Sequence, residues 1–194
     1  MSQNATHWRE RLLAELDEYQ PFDAREREMS ASLRAFVAAN PACFERSLAI
    51  GHVTGSAWVV DRSRSAVLLT HHRKLGRWLQ LGGHADGEGD LRAVALREAR
   101  EEAGLEAIEL ARTAIYDVDV HPIPARGAEA AHLHYDVRFA FYAERASVPQ
   151  ASDESHAVAW VPLDELDAYG VDDSVRRLAA KTAGLASSGI RPAS

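Results

Sequence analysis

Apolar positions in the first forty residues recur at helical spacing. Trp8, Leu12 and Leu16 stand at i, i+4 and i+8 among charged neighbours, with Thr6 as the prospective N-cap. Pro21 interrupts that pattern. Asp23 is the next N-cap, Met29, Leu33, Phe36 and Val37 form a second stripe, and Asn40-Pro41 is a stop signal. From residue 48 the rhythm becomes strand-like. His52 to Asp61, Ala66 to Thr70 and Trp78 to Leu81 predict three strands. Residues 90 to 103 predict a helix with Asp90 at its start and Gly104 at its end. Ile108 to Val120, His132 to Ala143 and Val158 to Val161 predict further strands, and 163 to 169 and 174 to 184 further helices. This order predicts an α/β fold, a mixed β-sheet flanked by helices. The expected organisation is an N-terminal helical extension over 1–47, a main domain over 48–186 and a fraying tail over 187–194. The first two helices pack on the main domain, form a homodimer contact or act as a lid; the sequence leaves these three readings open.

Composition narrows the class. A chain of 194 residues, 46% apolar and 26% charged, has the make-up of a folded globular protein. A net charge of −7 argues against nucleic acid and anionic membrane surfaces as partners. Cys43 is the only cysteine, so neither an intrachain disulfide nor a cysteine-based zinc site is expected. No apolar run is long enough to span a bilayer, and the first twenty residues lack a secretory h-region. The expected location is cytoplasmic.

The chemistry concentrates in Gly82 to Leu105, GGHADGEGDLRAVALREAREEAGL. On its helix, Ala95, Leu96, Ala99 and Ala103 share a flank that lets the helix sit close to a sheet. Glu98, Glu101 and Glu102 are related by i+3 and i+4 and fall within an arc of about 100°. Like charges so placed repel, and a divalent cation reverses that sign. Clustered hard oxygens suit Mg²⁺ or Mn²⁺. Taken alone, the same run reads as a solvated face in which Arg97 and Glu101 make an i, i+4 pair. The glycine pair ahead of it and the fixed spacing to the acidic run set it apart.

The segment resembles the Nudix box, G-x5-E-x7-R-E-U-x-E-E-x-G-U, where U is bulky and apolar. Gly83 takes the first glycine position, and Arg97, Glu98, Glu101, Glu102, Gly104 and Leu105 fall on theirs. Three positions depart from the pattern. Gly89 replaces the first glutamate, between Glu88 and Asp90; Ala99 replaces the apolar U; and Leu81 stands where proline is frequent. Glu88 is expected to stand in through a small backbone shift. The resemblance implies a Nudix-type α/β/α sandwich and hydrolysis of a nucleoside diphosphate linked to another group. It implies Glu98, Glu101 and Glu102 as metal ligands and Arg97 as the residue that orients them. The catalytic base is then Glu98 or a carboxylate from a later loop. Glu154, ahead of the strand carrying Trp160, is the first such carboxylate, and Glu129 is another.

Substrate contacts are expected from Gly83 and His84, from Arg77 in the basic loop before the box, and from His132 and His134. These two histidines and Asp136 share one strand face, which reads as a pocket lining or as the solvent side of the sheet. The sequence shows no third ligand converging on the pair. The Gly89 departure motivates a rival reading, a non-catalytic Nudix-fold module that binds a nucleotide or a partner. An isomerase of prenyl diphosphates on the same fold leans on a cysteine near its pocket, and Cys43 lies far upstream of the box. His121-Pro122 is faintly similar to a feature of ADP-ribose hydrolases, although Pro122 and Pro124 also read as strand terminators.

Overall fold

The computed structural model describes residues 3–127, 130–153 and 155–185. Helices α1 (Gln3–Glu18) and α2 (Ala24–Ala39) precede strands β1 (Gly51–Asp61), β2 (Ala66–His72), β3 (Arg77–Leu79) and β4 (Leu81–His84). Helix α3 (Leu91–Ala103) follows, then β5 (Ile108–Leu110), β6 (Asp117–Ile123), β7 (His132–Ala143), β8 (Ser155–Pro162), a 3-10 turn (Leu166–Tyr169) and α4 (Asp173–Thr182). The fold is α/β, a mixed sheet with flanking helices and two helices ahead of it.

Several expectations need correction. Helix α1 begins at Gln3, so Thr6 lies inside it rather than at its cap; Gln3 and Ala5 are good helix formers. The run Ile108–Val120 is two strands, because Arg112, Thr113 and Ala114 break the apolar pattern and leave the ladder. Trp78–Leu81 is likewise divided, with Gln80 between β3 and β4. Pro122 does not end its strand. It pairs with Leu133 inside β6, which among the described residues pairs with β7 alone, and an edge strand tolerates the missing N–H. The tail over 187–194 lies outside the described residues.

The chain packs as two compact units. The first holds the described residues up to Ala57, with Gly82–Glu98 and Ala114–Phe139. Leu12, Leu16, Met29, Leu33, Phe36 and Val37, the two stripes of the sequence, are buried there. Asp23 caps α2 by accepting from the Glu26 amide at 2.7 Å. Phe36 stacks on Tyr135 of β7, ring centroids 3.9 Å apart. Glu26 is fully buried and accepts from the Phe22 amide (2.5 Å), the Val118 amide of β6 (3.1 Å) and the Tyr19 hydroxyl. A buried carboxylate is tolerable only when its lone pairs are satisfied, so Glu26 fixes α2 against β6. The N-terminal helices therefore pack within this unit, the first of the three readings.

Strands β6 and β7 pair antiparallel from Asp117 opposite Arg138 to Ile123 opposite His132. Arg138, buried at 2% exposure, reaches Asp136 (2.7 Å), Asp117 (3.2 Å) and Asp119 (3.3 Å). Asp136 also accepts from Thr54 (2.9 Å) and Ser56 (2.8 Å) of β1. Burial alone lowers the Arg138 pKa; the attractions of Asp136, Asp119 and Asp117 more than reverse this and raise it.

In the second unit, built from Trp58–Leu81, Ala99–Thr113 and the described residues from Ala140, β2 runs antiparallel to β8, from Ala66 opposite Pro162 to His72 opposite Ser155. Val60 of β1 lies opposite Val67 of β2. The buried Trp58 indole donates to the Thr182 hydroxyl of α4 at 2.9 Å. Asp172 caps α4 by accepting from the Ser174 and Val175 amides. Among the described residues, no helix is long and apolar enough to cross a membrane.

Arg138→Met removes the cation facing three buried carboxylates. Stability is expected to fall by about 3–5 kcal/mol, read as a lower denaturation midpoint in urea.

Candidate active site

The box begins where β4 ends. A Cβ added at Gly83 would fall 2.3 Å from Oε2 of Glu98 and 2.6 Å from its Cδ. The glycine is what admits the carboxylate against the strand. Arg97 holds it there, donating to Glu98 Oε1 at 2.9 Å and to the His84 carbonyl at 3.3 Å. The Glu98 side chain is 19% exposed, enough shelter to strengthen its electrostatics while leaving it open to a ligand. Further along α3, Glu101 is exposed and Glu102 buried. Asp90 caps α3, accepting from the Arg92 amide at 3.2 Å.

The loop before α3 explains the departure at Gly89. A Cβ there would meet Cβ, Cγ and Cδ1 of Trp8 at 2.3, 2.4 and 2.7 Å. The first helix thus packs its indole where any side chain at position 89 would begin. Arg92 strengthens the dock, pairing with Glu15 at 2.6 Å and lying over the Phe139 ring. Glu88, expected to stand in for the missing glutamate, accepts from the Asp90 amide at 2.9 Å, while Arg97 donates to Glu98 and to the His84 carbonyl.

The polar row on β7 is not a solvent face. His132 and Asp136 are buried, His134 half-buried, and a third histidine meets them. His52 of β1, 1% exposed, lies 5.0 Å from His132 and 4.8 Å from His134 between ring centroids. Among the described residues, His52, His132 and His134 are the one group of three whose ligand atoms all lie within 4.8 Å of one another; the glutamates of α3 form no such group. His84 sits 5.1 Å from both His52 and His134, and His121 5.5 Å from His134. Sequence reasoning missed His52. The signal lay in its strand, where His52, Thr54 and Ser56 alternate as His132, His134 and Asp136 do. Burial pushes the His134 pKa down to about 2, helped by the positive charge His121, His52, His84 and His132 can carry.

Arg77 is exposed at the start of β3, opposite His72. Glu154 and Glu129 lie outside the described residues. The Trp160 indole donates to the Ser147 carbonyl. Cys43 is buried, and that burial pushes its thiol up to about 11, which leaves it unreactive at neutral pH.

The box residues thus build an arginine-paired glutamate seated against a glycine at a strand end, within an α/β fold. The NUDIX domain family matches residues 52–181, and the chain belongs to that family. Solved structures share the fold at low identity. A Nudix hydrolase from M. smegmatis, RenU, is 21% identical with a TM-score of 0.53, over 70% of this chain and 89% of that one. The E. coli dihydroneopterin triphosphate pyrophosphohydrolase is 15% identical with a TM-score of 0.54, over 66% and 92%. A MutT NUDIX hydrolase from Burkholderia pseudomallei is 23% identical with a TM-score of 0.50, over 68% and 97%. No curated protein sequence matches the chain.

Two measurements probe this region. Gly89→Glu restores the family residue but drives a side chain into Trp8. It is expected to lower stability by about 1–3 kcal/mol, with part of the loss recovered in the Gly89→Glu, Trp8→Ala double variant by thermal denaturation. The second concerns pH. Unfolded His134 takes up a proton near its ordinary value of 6.5, whereas the folded residue does so only near 2. The unfolded state then holds more protons in this window. Cation-free protein should lose stability as pH falls below about 6.5, by at most about 1.4 kcal/mol per pH unit from this group. The slope should shrink in His134→Asn, measured by urea denaturation in EDTA.

Proposed function

We propose that this Nudix-family chain is a divalent-metal-dependent hydrolase of the pyrophosphate bond in a nucleoside diphosphate linked to another group. The observation that carries the reading is the Glu98 carboxylate, seated against Gly83 where a Cβ would stand and clamped by Arg97. That clamp holds the acidic face of α3 at the end of a β-strand. Glu98, Glu101 and Glu102 supply hard oxygens on one helical arc, a donor set that suits Mg²⁺ or Mn²⁺.

A cation bound there offsets the charge of the pyrophosphate and of the leaving oxygen as it develops. The remaining work falls to the chain. Glu98, Glu101 and Glu102 would hold the ion, and Arg97 fixes the direction in which Glu98 points. Water attacks one phosphorus, a new P–O bond forms and the anhydride P–O bond breaks. Glu98 accepts the proton given up by the water, and the leaving phosphate departs with the bonding pair. His84, next to Gly83, is placed to contact the substrate. Without cations, three glutamates would repel such an anion.

The test is a panel of nucleoside diphosphate derivatives with Mg²⁺ and with Mn²⁺, read by released phosphate or nucleotide. Turnover of at least one member is expected. Glu101→Gln and Glu102→Gln should each reduce it by about a hundredfold or more while circular dichroism stays unchanged. Equal turnover by these variants overturns the site, and ligand binding without turnover across the panel favours a binding module.

A further inference from the structure

We propose that His52, His132 and His134 form a second metal centre, a three-imidazole site for a transition ion of the Zn²⁺ class, separate from the carboxylates of α3. Three lines of observation converge on it, and none depends on the hydrolase reading.

The first is placement. Two neighbouring strands deliver the ligands, His52 from β1 and the i, i+2 pair His132 and His134 from β7. Their ligand atoms already lie within 4.8 Å of one another. A tetrahedral ion with Zn–N bonds of about 2.0–2.1 Å holds its donors about 3.4 Å apart, a separation that small ring rotations reach. The ligands sit on strands, which makes the geometry rigid.

The second is the state of the nitrogens. Nδ1 of His132 lies 2.9 Å from the Ala130 carbonyl. A carbonyl can only accept, so Nδ1 carries the proton and Nε2 keeps the lone pair. An outer hydrogen bond of this kind sets a histidine for metal ligation. Nε2 of His134 is buried and has no hydrogen-bond partner in the protein, an arrangement that costs free energy unless something binds it.

The third is charge. Around Arg138, three buried carboxylates face one guanidinium, an excess of two negative charges. Asp119 lies opposite Asp136 in the β6–β7 ladder, and two residues further His121 lies opposite His134. Asp119 bridges the two groups, with Oδ2 on Arg138 and 3.0 Å from Nδ1 of His121. Through Asp119 and His121 this acidic cluster adjoins the imidazoles, and a dication among them would offset part of its charge. Donor type then selects the ion. Imidazoles favour Zn²⁺, Co²⁺ or Ni²⁺ over Mg²⁺ and Ca²⁺. Three protein nitrogens leave a fourth position, beside which His84 stands.

The experiment uses the tag-free full chain, stripped with chelator, dialysed into excess Mg²⁺ and titrated with Co²⁺ and with Zn²⁺. One equivalent per chain is expected, with visible ligand-field bands for Co²⁺ that Zn²⁺ abolishes. Affinity should fall about tenfold or more in His132→Ala and in His134→Asn, and stay unchanged in Glu101→Gln. X-ray absorption of the Zn²⁺-loaded wild type should show three imidazole shells, a readout that needs no variant to fold. No uptake in excess Mg²⁺, wild-type affinity in the histidine variants, loss of binding in Glu101→Gln, or an oxygen-only first shell would each overturn the proposal. The Glu101→Gln comparison also separates its failure from that of the hydrolase, since that variant bears on the carboxylate site and leaves the imidazoles intact.

Discussion

Arg138 is the constraint on which the first unit depends. A guanidinium removed from water is tolerable only with close anionic partners, and three aspartates on two strands provide them. That requirement fixes the register of β6 against β7, since a slip of β6 by one residue would turn Asp117 and Asp119 to the face away from Arg138. Through the Thr54 and Ser56 hydroxyls, Asp136 carries the same constraint to β1. Register, once fixed, decides which other side chains meet. His52, His132 and His134 converge because the strands that bear them have no freedom to slide.

The last two residues of β4 show how one short strand meets different side-chain environments. At Gly83 the missing side chain admits a carboxylate from α3. The next residue, His84, offers its carbonyl to Arg97 and its ring to the histidines. Alternation along a strand sends neighbouring side chains to opposite faces, so a hard-oxygen environment and an imidazole environment can lie back to back with little interference. Belonging to the NUDIX family accounts for the first environment. The second is particular to the polar rows on β1 and β7.

Much of this was legible in the sequence, for identifiable reasons. The helical stripes, the caps at Asp23 and Asp90 and the acidic box rest on local spacing, and local spacing is what a sequence displays directly. The box could be read because its residues lie within one loop and one helix. What escaped depends on pairing between distant segments. His132 and His134 showed their shared face, yet whether that face met solvent or protein depended on β1, eighty residues earlier. Glu26 stands in the first turn of α2, and only the arrival of the Val118 amide from β6 makes it a buried anchor. The breaks within Ile108–Val120 and Trp78–Leu81 arise where the chain leaves one partner, a choice that periodicity does not record.

The indole of Trp8 over Gly89 has an implication for how the loop tolerates change. The family match begins at residue 52, so the helix that roofs this stretch of the box lies outside the shared core. Support for this stretch of the box is here borrowed from an accessory segment. A larger residue at position 89 is thereby coupled to a rearrangement of α1.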